Sequence, residues 1–246
     1  MKKINFLILT VVFAALVSAC GLNQTESDKT DGAEIVEMDE IPVEQEKETS
    51  PYELLLNTIY DFLRSDCTAE ETGDVLGAGI CEVIAGKTAT ERMESVAYCI
   101  KDINGDEVEE LLVLDAIDPE PGNVRILDMY TLIEGKPVKV IEGWSRKRYY
   151  LLNDGMIYCS GSSGAAYSNE AVLSFEAESD QLTPGELYFT YPTSETADEC
   201  AYYYSAEGVY DVAAATEISA DEFRAFRKQC EQKIVEFEAS TFDLLK

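Results

Sequence analysis

From Val96 onward the chain falls into short apolar stretches rich in Val, Ile and Tyr, each bounded by turn residues. They lie at 96–101, 110–116, 124–133, 138–143, 148–153, 156–160, 171–177, 187–192, 201–204 and 209–214. β-Branched and aromatic residues in runs of this length suit the pleated, half-buried surface of a strand. Glu134-Gly135-Lys136-Pro137 and Asn153-Asp154-Gly155 are hairpin sequences. Connections this short force neighbouring strands to run antiparallel, because a parallel pair needs a long crossover. The pattern predicts a meandering antiparallel sheet.

Helices bracket that sheet. Ser50-Pro51-Tyr52-Glu53 has the form of a capping box with proline at the first helical position. Leu55, Ile59, Phe62 and Leu63 then repeat at helical spacing, predicting an amphipathic helix over 51–64. A glycine-rich loop (Gly73, Gly77, Gly79) leads to short helices near 80–86 and 88–95. Ser219-Ala220-Asp221-Glu222 is a second capping box, with Ile218 and Phe223 as a staple pair. Phe223, Phe226, Cys230, Ile234 and Phe237 continue as an apolar stripe, the core face of a C-terminal helix. The fold class is α+β: a meandering antiparallel β-sheet with N-terminal helices and a C-terminal amphipathic helix.

Charge narrows the function. The 246 residues carry 48 acids against 19 bases and no histidine, for a net charge of −29. Nucleic acid is excluded as a partner, since phosphate binding needs clustered cations. Without histidine, Ser-His-Asp and Cys-His catalysis and the commonest zinc ligand are also missing. A hydrophobic fraction of 46% still supports a real core. Much of the acid sits in front of the domain, where residues 21–50 hold ten acids, two lysines and no periodic apolar face. Residues 20–50 read as a disordered, self-repelling tether, followed by a single globular domain over 51–246.

Residues 1–19 read as a targeting segment. Lys2 and Lys3 precede an apolar run, Phe6 to Val17, that is too short for the ~20 residues a membrane-spanning helix needs. Leu16-Val17-Ser18-Ala19-Cys20 resembles the lipobox of bacterial lipoproteins. The resemblance implies cleavage before Cys20 and acyl chains such as palmitate on that residue. These would anchor the chain on the outer face of the bacterial cell membrane.

One segment carries metal-type chemistry. Asp102, Asn104 and Asp106 place side-chain oxygens at alternate positions, Val108 can offer its carbonyl and Glu110 its carboxylate. A hard cation such as Ca²⁺ takes six to eight oxygens, which a tight loop supplies from alternate residues. An EF-hand is excluded by Glu107 and Val113 at the positions that need glycine and glutamate. The spacing resembles the β-hairpin calcium loop of FG-GAP and VCBS-type repeats, D-x-[DN]-x-D-G-x-x-[DE], with Glu107 standing where that pattern has glycine. With the lipobox and Gly161-Ser162-Ser163-Gly164-Ala165, the chain resembles a group of Gram-positive lipoproteins bearing one such loop. A metal-free Asx turn between two strands accounts for the same residues.

Other features carry less. Leaving Cys20 aside, Cys67, Cys81, Cys99, Cys159, Cys200 and Cys230 form an even set, consistent with export and disulfides. Cys67 and Cys81 bracket the glycine-rich loop and are the pair expected to be crosslinked. Buried free cysteines are the alternative, with Cys230 on its apolar stripe the foremost case. Gly161 to Ala165 nearly forms a nucleophile elbow, but Ala165 replaces the second glycine and the serine has no histidine base. Trp144-Ser145-Arg146-Lys147-Arg148-Tyr149-Tyr150 gathers three cations and three aromatics in an anionic chain. Trp144, Arg146, Arg148 and Tyr150 are the expected ligand-facing set, with the Gly161–Ala165 bend as a rim. Strand alternation would set Lys147 and Tyr149 on the opposite face.

Together these features indicate an extracytoplasmic, membrane-anchored lipoprotein acting as a non-enzymatic, calcium-stabilised binding module for a cell-wall, glycan or protein ligand. The competing class is a carboxylate-dependent hydrolase of wall or dietary glycans, which needs two carboxylates ~5–9 Å apart in a cleft. A solute-capturing transporter subunit is weaker, because strands and helices do not alternate as in paired α/β lobes.

Overall fold

The computed structural model describes residues 50–65, 76–117, 124–194, 199–236 and 238–245. The expected targeting segment, Cys20, the expected tether up to residue 49 and Cys67 lie outside them. The described chain is mixed helix and sheet. Helix α1 (Glu53–Arg64), α2 (Ala78–Ile84) and α3 (Ala89–Ser95) precede the strands, and α4 (Ala220–Glu231) follows the tenth. Among the described residues no helix is long and apolar enough to cross a membrane.

Strands β1 (Val96–Lys101), β2 (Glu110–Asp115), β3 (Ile126–Ile133), β4 (Lys136–Glu142), β5 (Lys147–Leu151) and β6 (Ile157–Gly164) come first. They are followed by β7 (Tyr167–Phe175), β8 (Leu182–Pro192), β9 (Cys200–Ser205), β10 (Thr216–Ile218) and β11 (Ser240–Thr241). All pair antiparallel in one sheet of order β10-β9-β8-β7-β6-β5-β3-β2-β1-β11, with β4 branching from β3. The β3–β4 turn uses Glu134 and Gly135 at φ of 52° and 73°, the left-handed pair that matches strand twist. The closing β11 pairs with β1, so the end of the chain covers an edge that would otherwise be open.

The sheet is apolar on both faces. One face holds a single cluster running from Leu112 and Leu114 through Tyr149, Leu151 and Cys159 to Phe189. On the other face, α1 to α3 pack over Leu111, Val113 and Leu127, while α4 sets Phe226 and Cys230 on Tyr150, Leu152 and Tyr158. β2 is therefore buried at every position, serving helices with one set of side chains and the sheet cluster with the other.

Several boundaries differ from the sequence reading. The expected capping box at Ser50 does not form: α1 starts at Glu53, and Ser50 Oγ accepts the Tyr52 amide at 3.3 Å. Tyr52 is the reason, since its ring is buried and its hydroxyl donates to the Glu109 carbonyl at 2.8 Å. The capping boxes at Thr88 and Ser219 are both complete. The stretch 209–214 is a turn rather than a strand. Asp211 Oδ1 accepts the Ala213 amide at 2.9 Å, and the Tyr210 hydroxyl reaches the Thr190 carbonyl at 2.9 Å. Pairing resumes only at Thr216–Ile218. Helix α4 ends at Glu231, and Ile234 leaves the apolar stripe to bridge Leu152. Phe237 lies outside the described residues.

Candidate functional site

The loop between β1 and β2 is held by its own acids. Asp102 Oδ1 accepts the Gly105 amide at 2.7 Å and Oδ2 the Glu107 amide at 3.1 Å. Asn104 Oδ1 accepts the Asp106 amide at 3.2 Å, and Asp106 Oδ1 accepts the Val108 amide at 2.8 Å. Gly105 and Glu107 take positive φ, 80° and 71°. Glu107 thus adopts the left-handed conformation that the resembling pattern reserves for glycine. The Gly105 amide foremost holds the Asp102 carboxyl below its ordinary range.

Glu110 sits beneath the loop with no solvent exposure. Its oxygens accept the Ile103 amide at 3.2 Å and the Thr131 hydroxyl at 3.1 Å. Burial pushes its carboxyl up to about 7, eased by those two donors and reinforced by Asp106 and Asp102. Among the described residues, no three acids or cysteines already converge as a metal cage. The donor set still suits a hard cation: carboxylates, one amide oxygen and a carbonyl, with lone pairs beyond those the amides use.

The cationic segment divides between environments. Trp144 is 39% exposed and pairs with Lys147 in a tight turn that also contains Arg146. The Ser145 amide and hydroxyl both donate to Glu82 on α2, at 2.7 and 3.0 Å. Alternation separates Lys147 and Tyr149 from Arg148 and Tyr150, as the period of two requires. Tyr150, however, is buried under α4 with Phe226 and Cys230, which leaves it little surface to offer a ligand. An aromatic ring covered by a packed helix loses more water-exposed area there than on an open face. Arg148 remains exposed, and with Tyr150, Tyr158, Ser160 and Arg227 it borders a hollow of about 160 Å³. The Gly161–Ala165 segment is the β6–β7 hairpin, and the Ser162 amide donates to the Arg146 carbonyl at 2.9 Å. That hairpin therefore lies directly beside the turn that carries Arg146.

Buried acids away from the loop are mostly matched to local bases. Asp115 pairs with Arg125 at 2.8 Å. Glu170 takes the Tyr158 hydroxyl at 2.5 Å and the Arg227 guanidinium. Asp128 meets Lys139 at 3.2 Å, the Tyr130 hydroxyl at 3.0 Å and the Gly77 amide at 3.3 Å, while its Oδ1 has no partner. Burial raises the Asp128 carboxyl to about 6 against the pull of Lys139. Lys139 also contacts Glu142, so the two carboxylates lie within about 7 Å of each other. Asp128 has no exposed surface, so a substrate cannot reach it in this conformation.

The expected Cys67–Cys81 crosslink involves a residue outside the described set. Cys99, Cys159, Cys200 and Cys230 carry free thiols. Burial pushes the Cys159 thiol up to about 11 and that of Cys230 up to about 12, which keeps both protonated and unreactive. No family model, curated protein or solved structure matches this chain.

Proposed function

We propose that the chain is a lipid-anchored extracytoplasmic lipoprotein acting as a non-enzymatic binding module, with a calcium-stabilised loop at 102–110. The loop geometry supports this reading most: Asp102, Asn104 and Asp106 gather on one backbone turn above the sealed Glu110. Calcium would take oxygens from Asp102, Asn104, Asp106, the Val108 carbonyl and Glu110. Its charge would offset the repulsion among carboxylates in a chain of −29. The C-terminal amphipathic helix enters as a cap over Tyr150. This leaves Trp144, Arg146 and Arg148, beside the β6–β7 hairpin, as the ligand-facing set for an anionic or sugar-bearing wall, glycan or protein partner.

Thermal melts in chelator and in millimolar calcium test the metal reading. Calcium at a hundred times its dissociation constant adds ~2.7 kcal/mol of stability by mass action. The melting temperature should rise in the parent and stay fixed in Asp106→Ala. An equal melting temperature of the parent in both buffers would reject the calcium role.

A further inference from the structure

Between α4 and strands β7 to β10 runs a half-open groove of about 800 Å³, within the size range of small-molecule sites. Its wall is aromatic. The Tyr188 ring stacks on Phe226 at 3.9 Å between centroids and tilts against Tyr204 at 4.9 Å. Its charges do not cancel. Asp154 and Lys233 pair with each other at 3.3 Å, and the Glu222 carboxylate turns to the Ser219 cap. Glu186, exposed on β8, has no ion-pair partner among the described residues. Burial and then Glu186 raise the Tyr188 hydroxyl, with Glu222 acting in the same sense. The field in the groove is therefore negative.

An ammonium group is attracted both to ring faces and to a carboxylate, whereas an anion is repelled by the rim. We propose that the groove beneath α4 binds a drug-sized organic ammonium compound, its charged head at Glu186 and its apolar body against Tyr188 and Tyr204. This site goes beyond the reading above and does not depend on the calcium loop.

Calorimetric titration of the full chain with benzyltrimethylammonium, benzyl alcohol and phenylacetate at matched ionic strength tests it. The cation should bind about tenfold more tightly than either comparator, the range set by a solvent-exposed cation–ring attraction plus one carboxylate. Glu186→Gln should reduce that preference to about threefold or less. Ala225→Phe, on the exposed side of α4 where Ala225 borders the groove, should crowd the groove and weaken binding severalfold while melting is unchanged. Neither residue is in the core, so both variants keep the fold. Equal affinity for benzyl alcohol or phenylacetate would overturn the proposal. Parent-like binding of the cation by both variants would do so too.

Discussion

At the scale of single residues, Glu107 and Asp128 both occupy settings their chemistry resists. Glu107 holds φ at 71°, where a side chain costs ~1–2 kcal/mol and glycine costs nothing. Glu107→Gly also makes the unfolded chain more flexible, so a net gain of ~0.5–1 kcal/mol is expected. The urea midpoint should rise accordingly, and a fall would mean that the Glu107 side chain itself supports the loop. Asp128 has a folded pKa of about 6, above its ordinary value of 3.8. A carboxyl raised in this way favours the native state fully only when protonated, below pH 3.8, and its contribution falls as pH rises through 6. Asp128→Asn should flatten the stability profile across that window. A profile unchanged by the substitution would assign the pH dependence to another group.

At the scale of elements, α4 is fastened to the sheet by chemistry as well as by packing. Phe223, Phe226 and Cys230 supply the apolar face, and Arg227 reaches Glu170, which is 1% exposed. Arg227→Met leaves Glu170 buried with only the Tyr158 hydroxyl. Removing one member of a buried pair costs ~3–5 kcal/mol, and the partial exposure of Arg227 lowers the expected loss to ~2 kcal/mol. Denaturant titration should show that loss, and the double variant with Glu170→Gln should recover part of it. Among the described residues, the β1–β2 loop comes close to another element without a bond between them. A Cβ at Gly155 would come within 2.7 Å of the Ile103 carbonyl, so the β5–β6 turn needs glycine both for its φ of 80° and for this approach.

At the scale of the whole molecule, the expectation that remains is anchoring. If Cys20 carries acyl chains, Cys20→Ala should move the protein from the membrane fraction to the soluble one, since two chains give stable binding and none gives almost no binding. Membrane retention of the unacylated variant would count against the lipoprotein reading. The −29 charge predicts that a cationic-aromatic surface around Arg146 and Arg148 is the part that an anionic partner can approach. Contacts of that kind weaken with added salt, because exposed charges are screened beyond ~8 Å at physiological ionic strength.

Local periodicity and turn chemistry made much of the architecture readable in advance. The antiparallel meander, the Glu134–Gly135 turn and the Ser219 cap all depend on residues within a few positions of one another. The oxygen spacing from Asp102 to Glu110 was readable for the same reason. What only the tertiary structure decided depends on contacts between distant parts of the chain. Tyr52 displaced the Ser50 cap by reaching Glu109, 57 residues away, and Arg227 found Glu170 across the same separation. Strand alternation put Arg148 and Tyr150 on one face, but could not say that α4 would cover that face at Tyr150. The return of β11 to the β1 edge left no pattern in the sequence at all. A period of two states that a strand has two faces; which one meets solvent is settled when the helices bury their own apolar surfaces.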